Sequence, residues 1–332
     1  MSPRITVLMP VYNAEAFVAD AARSVLSGSW RDLELLAIDD GSTDESAAVL
    51  ESLGDPRVKV VRSPVNRGLI ASLNRGLDLA QGEFVARMDA DDICMPDRLS
   101  RQLKFMDANP DIGVSGTWIT VFGAAREHLM RFPTDPKVVD TELFCFNPIA
   151  HSTAMLRKRL FDRHALRYSP SAVHVEDLDL WMRAAEHFAM ANISAVGLRY
   201  RVHDSQVSSR HESVQSRSSG ELRARQLSRL LPRACAADVD LHLSVMDVNR
   251  ALRHDELIAA ASWLERLERA NAGVRRYDPA KFRKFLVQRW LNAAYRCVPT
   301  GFDVWRTWRR SALATAGAFS QWRLLFKKAM LR

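Results

Sequence analysis

The first hundred residues alternate in a way that leaves few folds open. ITVLMPVY, LELLAID, VKVVR and EFVARMD are short apolar runs of strand character. AEAFVADAARSVLSG, STDESAAVLESLG, GLIASLNRGLDLAQG and PDRLSRQLKFMDANP follow them in turn, with helical period and helix punctuation; Pro96 suits a first turn. Apolar strands alternating with helices predict a parallel sheet with right-handed crossovers, flanked by helices. Ligands of such sheets bind beyond the carboxyl ends of the strands.

The alternation continues more loosely. IGVSGTWITVFG reads as a strand, HSTAMLRKRLF as a strand running into a helix, EDLDLWMRAAEHF as a helix and NISAVGLRYRVH as a strand. SQVSSRHESVQSRSSG then has no apolar period and reads as a linker or loop. Only helical patterns follow. The expected organisation is an α/β domain over residues 1–208, a polar linker over 209–220 and a helical module over 221–332.

Composition excludes several classes. The four cysteines, Cys94, Cys145, Cys235 and Cys297, are too scattered for a zinc clip or a disulfide scaffold, so a reducing cytoplasm is expected. The N-terminus lacks the pattern of a signal peptide, and no apolar stretch approaches the ~18 residues of a membrane span. The net charge of +8 is concentrated at the end: residues 301–332 hold seven Lys or Arg against one acid. Trp305, Trp308, Trp322 and Phe326 are interleaved with those charges, which suits either an anionic membrane surface or a helix packed by its aromatic face.

Acids gather at the predicted strand ends. Asp39 and Asp40 close the second strand in IDDGSTD, and Asp89, Asp91 and Asp92 follow the fourth in DADD. Carboxylates this close need a cation to stay ionised together, and hard oxygen ligands suit Mg²⁺ or Mn²⁺ bridging to a diphosphate; the plainer reading is an acidic turn capping the next helix. IDDGSTD is equally a turn with an N-cap or a hydrogen-bond acceptor for a base or ribose. In PVYN, Tyr12 could stack on a planar base, or the tetrapeptide is a simple strand–helix turn. HVEDLDLW sets Glu176 and Asp177 at a helix start, as caps or as a general base. His203, at the end of the last strand, is a candidate metal ligand or phosphate contact, and Arg201 a candidate phosphate contact.

PVYN, DDGSTD, NRG, MDADD with PDRLSRQ, EDLDLW and YRVH, in this order, resemble the family 2 glycosyltransferases from about Ile5 to Ser208. The resemblance implies a GT-A fold, with a mixed, mostly parallel sheet. It implies inverting transfer of one sugar from a nucleoside-diphosphate donor, UDP-linked in the usual case, to a hydroxyl of a glycan or lipid-linked acceptor in surface-polysaccharide biosynthesis. By motif, Pro10, Tyr12 and Asp40 would line the nucleoside pocket with Asp39 in support, and Asn66, Arg67 and Gly68 would face the donor. Asp89 would touch ribose or sugar. Asp91 would bind Mn²⁺ or Mg²⁺ with Asp92 close by and His203 as a further ligand. Asp177 would be the general base, with Glu176 as runner-up.

The processive members carry QxxRW beside membrane helices; here Gln288, Arg289 and Trp290 are contiguous, which favours single addition. A nucleotidyltransferase using paired aspartates and Mg²⁺, or a noncatalytic nucleotide-sugar-binding scaffold at the membrane, are the competing readings. The first strand ends without the glycine-rich phosphate loop of the former. No nucleic-acid partner is expected. The place of action implied is the cytoplasm or, through 301–332, the inner face of the membrane.

Overall fold

The computed structural model describes residues 2–123, 126–203, 212–298 and 301–314. The chain divides into two compact units, Met1–Ser218 and Ser219–Arg332.

The four predicted strands of the first unit form as β1 (Ile5–Val11), β2 (Leu33–Asp39), β3 (Val58–Arg62) and β4 (Phe84–Arg87). They are joined through α1 (Val18–Leu26), α2 (Ser46–Glu51) and α3 (Leu69–Leu79). β1 pairs in parallel with β2 and β4, and β2 with β3. β2 is buried at every position, as its unbroken apolar run requires of a strand covered on both faces.

The rest of the unit adds β5 (Ile93–Cys94), α4 (Arg98–Ala108), β6 (Ile112–Phe122), β7 (His128–Met130), α5 (Pro136–Glu142), β8 (Met155–Arg157), α6 (Lys158–Arg163), α7 (Glu176–Ala184) and β9 (Ala189–Arg201). The strands lie in the order β3-β2-β1-β4-β8-β6-β9-β5, with β7 on β6. β8 runs antiparallel to both β4 and β6, while β9 is parallel to β6, so the sheet is mixed.

Register fixes where the loops emerge. Val11 lies opposite Asp39, and Leu8 opposite Arg87. The loops after β1, β2 and β4 therefore leave one edge together. A buried polar relay locks this edge. The fully buried Arg98, on α4, donates to the Arg87 carbonyl at 2.8 Å and to Gln102 Oε1 at 3.0 Å. Gln102 donates onward to the carbonyls of Ser115 at 3.0 Å and Thr153 at 2.9 Å. The PDRLSRQ stretch thus ties β4, β6 and the turn before β8 together. α4 itself begins at Arg98, two residues after Pro96.

The second unit holds only helices among its described residues. α8 (Glu212–Leu230) runs across the division, followed by α9 (Ala236–Met246), α10 (His254–Val274), α11 (Pro279–Arg296) and α12 (Phe302–Arg310). Trp290 of the Gln288-Arg289-Trp290 run is fully buried and donates to the Trp308 carbonyl at 3.1 Å, a packing role.

The polar stretch read as a linker is helical from Glu212 onward, and the division falls at Ser218, inside that helix; residues 209–211 lie outside the described ones. Leu222, Leu227 and Leu230 are buried and anchor the downstream half. Once that half is fixed, each added residue gains a backbone bond without a new nucleus, and Arg, Gln, Glu and Ser tolerate helix well.

Gln102→Leu removes the amide donor to the buried Ser115 and Thr153 carbonyls and the acceptor of the Arg98 Nε–H. It is expected to lower the free energy of unfolding by about 3 kcal/mol or more in urea titrations. Lys104→Gln, exposed on the same helix, should stay within about 0.5 kcal/mol.

Candidate active site

Local sequence shapes the first two loops. Asn13 adopts a positive φ of 48° and accepts from the Thr43 N–H at 2.9 Å, while its own N–H donates to Ser42 Oγ at 3.0 Å. PVYN and DDGSTD are therefore cross-braced. Gly41, at φ 73°, packs so closely that a Cβ there would lie 2.7 Å from the Val65 carbonyl carbon. Only glycine meets both demands.

Asp39 and Asp40 are both buried. Asp39 accepts from the Ser42 N–H at 3.3 Å. Asp40 accepts from the Arg67 N–H at 3.0 Å and the Gly68 N–H at 2.8 Å, and Asn66 Oδ1 shares the Gly68 N–H. Asp40 is thus the latch that holds NRG over the strand ends. Pro10 lies in β1, and the Tyr12 ring is half exposed beside this latch.

The three aspartates of DADD come together. Asp89, Asp91 and Asp92 each offer an oxygen within 4.8 Å of the others. Their partners differ. Asp89 is ion-paired to the buried Arg87. Asp91 Oδ2 is hydrogen-bonded to His203 Nε2 at 2.9 Å. Asp92 is fully buried; its Oδ1 accepts from the Arg201 N–H at 2.9 Å, and its Oδ2 has no hydrogen-bond partner among the described residues. Burial, then repulsion from Asp89 and Asp91, pushes the Asp92 carboxyl well above the usual carboxylate range. Burial also raises Asp89, though Arg87 opposes this. A buried carboxylate oxygen left without a donor, beside two more carboxylates, is a donor set for a hard divalent cation, and Mn²⁺ or Mg²⁺ fits it.

His203 packs its ring on Phe17, centroids 4.8 Å apart, so the last strand is joined to the loop after β1. Arg201, a candidate phosphate contact from sequence, donates through Nε to the Asp91 carbonyl at 2.7 Å and stacks on Phe17 and Phe122.

Glu176 and Asp177 open α7 near the same cluster: Arg87 acts on both, Asp89 raises Glu176, and Asp177 raises Asp89. Burial and then Asp177 push the Glu176 carboxyl up to about 7. Burial likewise raises Asp177, against hydrogen bonds from the Leu178 N–H at 2.7 Å and from Asn147 Nδ2 at 2.6 Å. A carboxylate held near neutrality by burial and a like charge has the properties of a general base. The helix start at Val175 carries no side-chain cap; within α7, Asp177 accepts from the adjacent Leu178 N–H.

Sequence reasoning missed four neighbours. Arg87 is the buried cation among the acids. Asn147 bonds Asp177. His151 Nε2 meets the hydroxyl of the buried Tyr168 at 2.9 Å; burial and then Arg87 hold His151 well below its ordinary range. The motif RMDADD contains Arg87, but nothing local separates it from any other strand arginine.

The chain is similar to known proteins. The model of Glycosyl transferase family 2 matches residues 6–165. The putative glycosyltransferase EpsE of Bacillus subtilis is 31% identical over 191 residues, covering 55% of this chain and 67% of that protein. The Escherichia coli UDP-Glc:alpha-D-GlcNAc-diphosphoundecaprenol beta-1,3-glucosyltransferase WfgD is 26% identical over 207 residues, covering 62% of this chain and 79% of that protein. The crystal structure of S. aureus TarS in complex with UDP-GlcNAc superimposes with a TM-score of 0.59 over 88% of this chain and 91% of that one, at 18% identity, which shows a shared fold. The sheet is that of the GT-A fold, and the chain belongs to glycosyl transferase family 2 and is a glycosyltransferase.

Proposed function

We propose that the chain is an inverting, metal-dependent transferase moving one sugar from a UDP-sugar to a hydroxyl of a glycan or lipid-linked acceptor during surface-polysaccharide synthesis. One observation carries this reading: the Asp89, Asp91 and Asp92 cluster lies within electrostatic reach of the paired acids Glu176 and Asp177. UDP as the nucleotide and a lipid-linked acceptor are supported by what the names of the S. aureus and E. coli proteins state for those proteins.

Tyr12 offers a ring for the base. Pro10, with Asp39 and Asp40, shapes the floor beneath it, and Asn66, Arg67 and Gly68 close over the donor. Asp89, steadied by Arg87, faces ribose or sugar. Asp91, Asp92 and His203 would hold Mn²⁺ or Mg²⁺. The bound ion supplies charge stabilisation for the departing diphosphate. Asp177 takes the proton of the acceptor hydroxyl. The hydroxyl oxygen bonds to the anomeric carbon as the bond to the diphosphate oxygen breaks on the opposite face, inverting that centre.

We also propose that the protein works at the inner face of the membrane. α12 buries Val304 and Trp308 on one side. Elsewhere on its surface Phe302 is 46% exposed, with Arg306 over its ring at 4.5 Å and Arg309 over Trp305 at 5.3 Å. Arginines beside aromatic rings suit anionic headgroups. Residues 315–332, the rest of the basic segment, lie outside the described residues.

Incubation with UDP-sugars and Mn²⁺ should release UDP. Asp91→Ala should lower that rate about 100-fold or more, and Mn²⁺ should raise the melting temperature of the wild type but not of this variant. UDP release that persists undiminished in Asp91→Ala refutes the ion site.

The base is tested by pH. Activity needs the ionised carboxylate, so kcat/KM should fall toward acid pH. Glu176→Gln removes a like charge and should move that acid limb to lower pH with activity retained, whereas Asp177→Asn should cost about 100-fold or more. The opposite pattern assigns the base to Glu176.

The full chain should float with anionic vesicles, not neutral ones, and Arg306→Gln with Arg309→Gln should weaken flotation severalfold. Equal flotation with neutral vesicles would remove the electrostatic account.

A further inference from the structure

Asn147 stands in the loop between α5 and the turn His151–Thr153. Its Nδ2 donates to Asp177 Oδ2 at 2.6 Å, from 30 residues away in the chain. Asp177 Oδ1 is already bound to the first turn of its own helix through the Leu178 N–H. A single bond lets a carboxylate swing; two bonds, one to each oxygen from different elements, fix its plane and its lean.

The amide orientation is determined by its neighbours. Asn147 Oδ1 accepts from the Ile149 N–H at 3.3 Å. A flipped amide would set an oxygen against the Asp177 carboxylate and an NH₂ against an N–H donor.

The loop itself is pinned to the sheet. The next residue, Pro148, gives its carbonyl to Asn192 Nδ2 at 2.9 Å, and the same amide donates to the Pro133 carbonyl at 2.7 Å. Asn192 lies in β9 and is 2% exposed. Gly116, its register partner in β6, makes the space: a Cβ there would sit 2.2 Å from Asn192 Oδ1 and 2.8 Å from Ile149 Cγ2. A chain of contacts therefore runs from the central sheet through Asn192 and Pro148 to Asn147 and Asp177.

We infer that Asn147 is a positioning residue, holding the Asp177 carboxylate in one orientation for proton transfer on a loop that Asn192 fixes to the sheet. The inference rests on the proposed role of Asp177. The charged or titratable groups acting on Asp177 are Arg87, Asp89, Tyr168 and Glu176, with His151 bonded behind Tyr168. None of them supplies the donor that Asn147 does among the hydrogen bonds of the described residues.

The test uses the full chain with Asn147→Ala and Asn147→Asp. The second keeps an oxygen for the Ile149 N–H but replaces the donor with a like charge. Carboxyl carbon-13 NMR on aspartate-labelled protein, with Asp177 assigned by loss of its signal in Asp177→Asn, reads the bond without any substrate. The Asp177 titration is expected to rise by about one pH unit in Asn147→Ala, because a bond favouring the charged form is lost. It should rise further in Asn147→Asp. In turnover, kcat is expected to fall about 10- to 100-fold while donor KM stays within about twofold. An unmoved titration in both variants overturns the inference, as does a loss confined to donor KM with kcat intact. Absence of UDP release from the wild type would sink the proposed function instead, and the titration would still decide the Asn147–Asp177 bond.

Discussion

The carboxylates of Asp89, Asp91, Asp92, Glu176 and Asp177 crowd together, and the buried guanidinium of Arg87 lies among them. Arg87 acts on Asp89, Asp92, Glu176 and Asp177 together. Two like charges 4 Å apart repel by roughly 4 kcal/mol at an effective dielectric near 20, so Arg87 alone does not offset all the pairs present. Burial first, joined by repulsion from neighbouring acids at Asp89, Asp92 and Glu176, shifts these three carboxyls and that of Asp177 toward the protonated form. Such a site either keeps protons or takes up positive charge. Arg87 cannot drift to relieve it, since its carbonyl is held by Arg98 and its strand by the relay through Gln102.

The sheet explains why these acids meet at all. The parallel half delivers the loops after β1, β2 and β4 to one edge. A purely parallel continuation would have used the remaining strands to extend that row. Instead β8 reverses direction, which lets β6 and β9 run back beside it and brings the end of β9 to the aspartates. Arg201 and His203 then clasp Asp92 and Asp91 from more than a hundred residues away. The architecture is a platform on one side and a clasp on the other.

What could be read from sequence divides along the same line. The strands, helices and strand-end acids were legible because apolar period, glycine punctuation and motif order are local signals. The mixed direction of the sheet came only with the resemblance, since pairing direction leaves no mark on a strand's own residues. Arg87 was hidden in EFVAR, where an arginine reads as an ordinary strand end; its importance comes from burial. Asn147, His151 and Tyr168 were hidden for another reason: each matters through a partner far along the chain. SQVSSRHESVQSRSSG misled because a polar run without apolar period looks like a linker, whereas the buried leucines that support its helical part lie downstream.

The partners also bear on how the three aspartates divide their work, on the proposed reading. Asp89 is committed to Arg87, so its charge is largely spent before any ligand arrives, and its remaining acceptor capacity suits a hydroxyl better than an ion. Asp92 has surrendered one oxygen to the backbone of Arg201 and keeps the other buried and bare, a position costly to ionise without a cation in contact. Asp91 is the more open of that pair, 23% exposed at its side chain, and carries His203 at its edge. An ion entering from the solvent side would meet Asp91 first and relieve Asp92 most. Removing the charge of either Asp91 or Asp92 would then cost affinity for the ion yet lessen the repulsion among the three aspartates, so the two effects oppose each other at both positions.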